Sequence, residues 1–372
     1  MALGFTDEQE QFRDIVARFC RDRSPTTKVR ALMATDSGYD AEDWQLLCQE
    51  IGLVGIHIAE EKGGAGFGPV ELGIVMEEFG RSLMCAPYFA SAVLTVTAIA
   101  QTGTQAQCDA YIPALVDGTR IGALAIGEAD GKFSLEDVQT TARQSNDGYL
   151  LSGNKRFVVD GQNADLLIVL ARADAGPALF TVDAKADGVS CHAAASMDTT
   201  RKLAEINFTD TPAQLLGNGE PLDLAPLLDT ALIALANEMV GGAQAMLESA
   251  IEYTKLRVQF GRTIGSFQAI KHRLADLLVE VELAKSAAYR AAQALAEAQA
   301  TGESASEMAS LAKATASDAY LNAAIQCIQL HGGIGFTWEN DTHLWFKRAK
   351  SSEVFLGTPD EHRERMLQAM GV

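Results

Sequence analysis

Three long helical stretches between residues 224 and 332 limit what this chain can fold into more than any other feature. The first is LAPLLDTALIALANEMVGGAQAMLESAIEYTKLRVQFG, the second SFQAIKHRLADLLVEVELAKSAAYRAAQALAEAQA, the third SASEMASLAKATASDAYLNAAIQCIQLHG. Ala, Leu, Glu and Lys dominate all three, as strong helix formers should. Helices of such similar length predict an antiparallel bundle, with their charges on a solvated face.

The rest of the chain divides in two. The first third reads as helical. FTDEQEQFRDIVARFCRD opens on Thr6 with Gln9 three residues later, a capping-box pattern, and Phe12, Ile15, Val16 and Phe19 follow at helical spacing. AEDWQLLCQEIGL repeats the theme, and a Gly-rich loop feeds a further helix in EEKGGAGFGPVELGIVMEEFGRSL. Near residue 120 the character changes. RIGALAIGE, GYLLSGNKRFVVDG, DLLIVLARA and PALFTVDA are rich in β-branched residues and are separated by Gly, Asn and Asp turns. The expected division is 1–120 helical, 121–223 β, and 224–372 helical.

A net charge of -19 removes the basic footprint of a nucleic-acid binder and disfavours attachment to anionic lipid. No uninterrupted apolar run is long enough to predict a membrane span. The opening MALGFTDEQEQF has neither a basic nor an apolar leader region, so no signal peptide is expected. The six cysteines are scattered with no CxxC pair, which fits reduced thiols and a cytoplasmic setting. None of the six histidines pairs at metal spacing, and no metal is expected.

Two segments can carry chemistry. RVQFGRTIGSFQAIKHRLAD, residues 257–276, clusters Arg257, Arg262, Lys271 and Arg273 in an acidic protein, with Gln259 and Gln268 as amide donors. Such a segment suits a pyrophosphate, although a solvated helix junction explains it as well. QLHGGIGFTWEND, residues 329–341, places glycines at 332, 333 and 335, where a backbone can approach a phosphorylated or planar group. The run follows a helix, so it is no Rossmann fingerprint. By itself it reads as a helix C-cap and a tight turn.

Together the two segments change the reading. R-x-x-F-G-x-x-I-x-x-F-Q, followed some sixty residues later by Q-x-x-G-G-x-G-F-x-x-E, resembles the acyl-CoA dehydrogenase family in order and spacing, as do GGAGFGPVE and EEFGRS. The resemblance covers essentially the whole chain. It implies an α+β fold with an N-terminal helical domain, a central β-barrel-like domain and a C-terminal four-helix bundle. It implies FAD, an acyl-CoA substrate, a dimer of dimers, and an electron-transfer flavoprotein as acceptor. By the resemblance, Arg257 and Phe260 would grip the ADP part of an FAD seated mainly in a neighbouring subunit, with Gln268 in support. Gln329 and Gly333 would contact its pyrophosphate–ribose region, and Thr358 the chain's own FAD. His331, inside the glycine motif, is closer to a cofactor role than to a catalytic one.

The expected catalytic base is missing. The family takes the α-proton of an acyl-CoA thioester with a carboxylate while hydride leaves the β-carbon for the flavin. Counting along the chain puts Leu356 at one usual base position, and Ala231 with Leu232 at the other. GEADGKFS, residues 127–134, keeps only Glu128 of the family's flavin-side pattern, and Phe157 and Val159 stand where Trp and Thr are usual. One reading makes the chain the base-lacking subunit of a heteromeric dehydrogenase, like those of bacterial steroid side-chain degradation. A second relocates the base to Asp229, Glu238 or Glu353. A third is base-independent chemistry such as desulfination, with Arg81 as an anion site. A fourth is a non-catalytic acyl-CoA-binding or structural subunit.

Overall fold

The computed structural model describes residues 4–128 and 135–370. Most of GEADGKFS, residues 129–134, lies outside the described residues. Helices come first: α1 (Asp7–Arg23), α2 (Thr26–Met33), α3 (Ala41–Gln45), α4 (Pro69–Ser82), α5 (Thr97–Thr102) and α6 (Gln105–Val116). Seven strands follow: β1 (Gly122–Ala125), β2 (Thr141–Ser145), β3 (Gly148–Val159), β4 (Leu166–Ala173), β5 (Gly176–Asp183), β6 (Val189–Ala193) and β7 (Leu203–Leu215). The chain closes with α7 (Ala225–Leu256), a hairpin of β8 (Val258–Gln259) and β9 (Arg262–Thr263), then α8 (Gln268–Thr301), α9 (Ser306–His331), α10 (Thr342–Val354) and α11 (Pro359–Ala369).

These elements gather into two compact units. One holds the chain up to Arg30, Pro69–Met84 and Leu232 onward; the other holds Ala31–Gly68 and Cys85–Ala231.

In the second unit the strands close on themselves. β4 pairs β2 and β5, β2 pairs β3, β3 pairs β7, and β7 returns to β5. β1 pairs the first half of β4, and β6 pairs the first half of β7. The barrel-like form therefore follows from the cyclic pairing, closed by short pairings of β2 with β4 and of β5 with β7. Leu151, Val169, Phe180, Ile206 and Phe208 fill the interior. β7 alternates buried and less buried residues along its first half, as a strand with one covered face should, whereas the first six residues of β4 are all buried. A buried charge in this unit has its partners at hand, although burial still lowers the pKa of the amine. Lys155 is fully buried, and its Nζ donates to Glu128 Oε1 (2.7 Å) and to the Ile126 carbonyl (3.1 Å). Burial alone would raise the Glu128 carboxyl. The Lys155 bond and the N–H groups of Thr140 and Gln139 outweigh it and hold the carboxyl at about 2.

The first unit is helical. Its α1 opens with the capping box read from the sequence: Thr6 Oγ1 accepts from the Gln9 N–H, and Gln9 Oε1 accepts from the Thr6 N–H. Inside, Glu77 on α4 is gripped from two sides, by Arg13 of α1 (3.0 Å) and by the Tyr289 hydroxyl of α8 (2.7 Å). Glycines let α4 and α7 touch backbone to backbone. A Cβ on Gly80 would collide with the Glu238 carbonyl, and one on Gly241 with the Glu77 carbonyl. No helix here is long and apolar enough to cross a membrane.

One local expectation fails. The first long stretch reads as helical to Gly261, but α7 ends at Leu256. Phe260 (φ 55) and Gly261 (φ 78) both take left-handed conformations, and Val258 and Gln259 pair with Thr263 and Arg262. Two successive left-handed residues make the tight hairpin turn whose twist matches paired strands. That turn chemistry overrides helix propensity.

The glycine crossing is testable. Gly80→Ala or Gly241→Ala should push the helices apart and cost at least about 2–3 kcal/mol. A Gly302→Ala control faces open space, so it carries only the strain of its left-handed conformation (φ 79) and should cost about 1 kcal/mol. Urea unfolding of the three variants measures the difference.

Candidate functional site

The hairpin after α7 presents the residues expected to grip a nucleotide. Phe260 sits at its tip, 91% exposed, in a conformation that costs a non-glycine residue about 1 kcal/mol. An exposed aromatic ring held in a strained turn is a common mark of a binding site. Phe267 meets Phe260 edge-on at 6.2 Å, and the Arg262 guanidinium lies 4.0 Å over the Phe267 ring. Arg257 is exposed, and its guanidinium has no partner among the described residues. Gln268, the first residue of α8, is exposed too.

The glycine motif forms the end of α9. Gln329 is exposed in its last turn, and Gly332 follows with φ 66. Gly333 is exposed, with no atom within 4 Å of where a Cβ would stand. Open space over a glycine backbone and an unmatched cation together fit an anionic, planar group such as a dinucleotide. His331 is occupied with packing. Its ring stacks on Tyr253 at 4.0 Å, and Nδ1–H donates to the Cys327 carbonyl at 2.8 Å.

The segment after α10 carries the position where a carboxylate was expected. Leu356 is buried and left-handed (φ 61), and Gly357 follows with φ 107. His362 Nε2–H donates to the Leu356 carbonyl at 3.0 Å. Lys313 of α9, fully buried, donates to the carbonyls of Glu353 and Gly357, each at 3.0 Å, and to Ser317 Oγ at 3.1 Å. Thr358 caps α11. Its hydroxyl accepts from the Glu361 N–H at 3.4 Å and lies 2.9 Å from Glu361 Oε2, so any cofactor contact at Thr358 has to share a hydroxyl already in a capping box.

The alternative carboxylates are all engaged. Glu238 is buried on α7 and accepts from Arg348 Nη1 of α10 at 2.5 Å, in a pair with both side chains only 4% exposed. Glu353 pairs with Lys350 one turn back. Asp229 is buried and interacts within the chain. Ala231, the second usual base position, is fully buried. Arg81 is paired with Glu248, so its charge is already met.

In the β unit, Phe157 lies where the β3–β7 register shifts between Lys155 and Val158, with φ 57 and its ring half-exposed. Val159, where a hydroxyl was expected, turns into the core.

Comparison with known proteins gives this geometry its setting. Family models for the acyl-CoA dehydrogenase N-terminal, middle and C-terminal domains match residues 6–119, 123–211 and 226–371. This chain belongs to the acyl-CoA dehydrogenase family. It is thereby an oxidoreductase of a family that uses FAD. The chain is 35% identical to acyl-CoA dehydrogenase IpdE2 of Mycobacterium tuberculosis over 97% of its own length and 96% of the relative's. Its structure is similar to the Tcur3481–Tcur3483 steroid ACAD in a variant form. That match has a TM-score of 0.88 and 31% identity, over 100% of this chain and 99% of the other. It is also similar to the ChsE4–ChsE5 complex of Mycobacterium tuberculosis, with a TM-score of 0.89 and 26% identity, again over 100% and 99%.

Two residues of this region went unread in the sequence, Lys313 and Arg348, and the carbonyl partner of His362 was not visible there either. A lysine among Ala309, Ala312 and Ala316 was the one available signal, since a helix face of alanines is a packed face.

The Glu238–Arg348 pair should behave as a buried ion pair. Arg348→Met alone strands a buried carboxylate and should cost about 3–5 kcal/mol. Adding Glu238→Leu should recover much of that loss, as read from urea midpoints.

The histidines should set the acid limit of stability. Burial, with Lys313 and Arg365 nearby, pulls His362 down to about 4, and burial does the same to His57. The unfolded chain then binds more protons between pH 6.5 and 4, so stability falls as pH drops through that window. Each histidine contributes up to about 3 kcal/mol at its full extent. Urea midpoints at pH 7 and pH 5 should differ less in His362→Gln than in the native chain.

Proposed function

We propose that this chain is the base-lacking subunit of a heteromeric FAD-dependent acyl-CoA dehydrogenase, working with a second dehydrogenase subunit that carries the carboxylate. The observation that carries this reading is Leu356. The turn around it is bonded at three carbonyls, yet it presents a side chain that can take no proton. The pairing of Glu238 with Arg348 and of Glu353 with Lys350 supports it further, because neither carboxylate stands ready as a replacement base. Two structural relatives carry paired names, Tcur3481–Tcur3483 and the ChsE4–ChsE5 complex, and the first is called a steroid ACAD. By that likeness the substrate class is the CoA thioester of a steroid side chain.

Bound FAD supplies the two-electron acceptor for the hydride that leaves the β-carbon while the α-proton passes to a carboxylate. Arg257 suits the pyrophosphate as a fork of donors on an anion, and Phe260 offers a ring face to the adenosine end. Gly333 lets its backbone come close, and Gln268 and Gln329 add amide hydrogen bonds. Leu356 adds an apolar wall that excludes water and takes no proton.

The α-proton therefore goes to the second subunit's carboxylate, and electrons leave to an electron-transfer flavoprotein. The assembly is a dimer of dimers in the cytoplasm. Exposed apolar side chains at Leu256, Val258, Phe260, Phe336 and Trp338 fit burial in such an assembly. Six free thiols fit a reducing compartment. The division at 1–120, 121–223 and 224–372 is retained as the domain plan, with the family-match limits in support.

The test is the visible spectrum and native mass of the chain purified alone. It should hold little FAD, and co-expression with a carboxylate-bearing dehydrogenase should restore a flavin spectrum and acyl-CoA-dependent bleaching. A yellow homotetramer that bleaches with an acyl-CoA would overturn the reading. In the assembled complex, Leu356→Glu should add dehydrogenase turnover at this chain's own site.

A further inference from the structure

A buried lysine that no motif assigns controls the turn at residues 355–358. We propose that Lys313 is a positioning residue: from a neighbouring helix it ties the end of α10 to the turn that follows, and so fixes the direction in which the side chain at 356 is presented.

The geometry is unusual for a lysine. Lys313 lies in the first third of α9, among Ala309, Ala312, Ala314 and Ala316, and is fully buried. Among the described residues no carboxylate stands within ion-pair distance of it. Its Nζ instead reaches three neutral oxygens: the Glu353 carbonyl, the Gly357 carbonyl and Ser317 Oγ. Three donors meet three acceptors, so the ammonium is fully used. One carbonyl is at the C-terminal end of α10, where the orphaned carbonyls and the negative end of the helix dipole favour a cation. The other lies four residues on, past the left-handed pair Leu356 and Gly357. Lys313 thus bridges both sides of the strained turn.

The turn needs an external hold. A left-handed leucine costs about 1 kcal/mol, and leucine has no polar side chain with which to hydrogen-bond locally. Inside the segment the amide bonds are long: Phe355 N to Ser351 O is 3.2 Å, and Gly357 N to Val354 O is 3.3 Å. The short bonds come from outside, from Lys313 and from His362 Nε2 on the Leu356 carbonyl. A turn built this way keeps its shape whatever side chain stands at 356. The inference rests on the functional reading only for what position 356 faces.

Amide hydrogen exchange on the assembled protein tests it. Lys313→Met keeps the length of the side chain and removes its donors. Protection of the Phe355 and Gly357 amides should fall about tenfold or more, while β3 and β7 exchange as before. Unchanged protection at those amides would overturn the proposal. Lys313→Gln, which can still donate to a carbonyl, is the second variant, with a smaller loss expected at the same amides. Failure of both variants to fold, judged by circular dichroism, would also overturn it, because Lys313 would then be a requirement of the whole bundle. The functional reading is tested apart from this. Any turnover gained by Leu356→Glu should disappear when Lys313→Met is added. If Leu356→Glu gains nothing, the functional reading fails and the exchange result still decides the role of Lys313.

Discussion

The backbone contact between α4 and α7 is the constraint on which the helical unit depends. Gly80 lies against the Glu238 carbonyl, and Gly241 against the Glu77 carbonyl. Helices this close leave no room for side chains between them, so the neighbouring carboxylates must turn sideways to find partners. Glu77 turns to Arg13 and Tyr289, which brings in α1 and α8. Glu238 turns to Arg348, which brings in α10. From α10 the chain passes directly into the turn that Lys313 and His362 hold. Glu77, Glu238, Arg348 and Lys313 are buried, Arg13 is partly so, and each has a named partner at hydrogen-bond distance.

The two units solve the same problem in the same way. Lys155 in the β ring and Lys313 in the helices are both fully buried, and both donate to backbone carbonyls that no regular element satisfies. Burial lowers the pKa of each amine, that of Lys313 to about 8. Lys155 also bonds a carboxylate, Glu128, whereas the hydrogen bonds of Lys313 go to neutral oxygens, with Glu353, Glu361 and Asp318 acting only at longer range. A single flexible side chain reaches across a gap that the backbone cannot close by itself, and the segments so tied are the ones next to Phe157 and Leu356.

Much of this was legible because it is local. The capping box at Thr6 and Gln9, the long helices and the succession of strands all follow from residues within a few positions of each other. Counting from Gly332 and Gly333 put Leu356 where a carboxylate was expected, and the turn that presents it is the part counting did not reach. The end of α7 was not legible, since Leu256 to Gly261 keep a helical look until the left-handed pair at 260 and 261 is known. Lys313, Arg348 and the carbonyl partner of His362 were invisible for another reason. Periodicity says which face of a helix is covered, but not what covers it. Arg348 meets a glutamate 110 positions away, and nothing in either local pattern marks the other.

Phe260 gives the isolated chain an energetic asymmetry. Its ring is largely in water, with Phe267 meeting it edge-on, and its backbone is strained, so it returns little to the fold that carries it. A species that covered that ring would supply the stabilisation. Linkage then makes the apparent stability of the chain rise with the concentration of the covering species. For any such species, a melting temperature taken in its absence is a lower bound, and folding and binding become parts of one equilibrium.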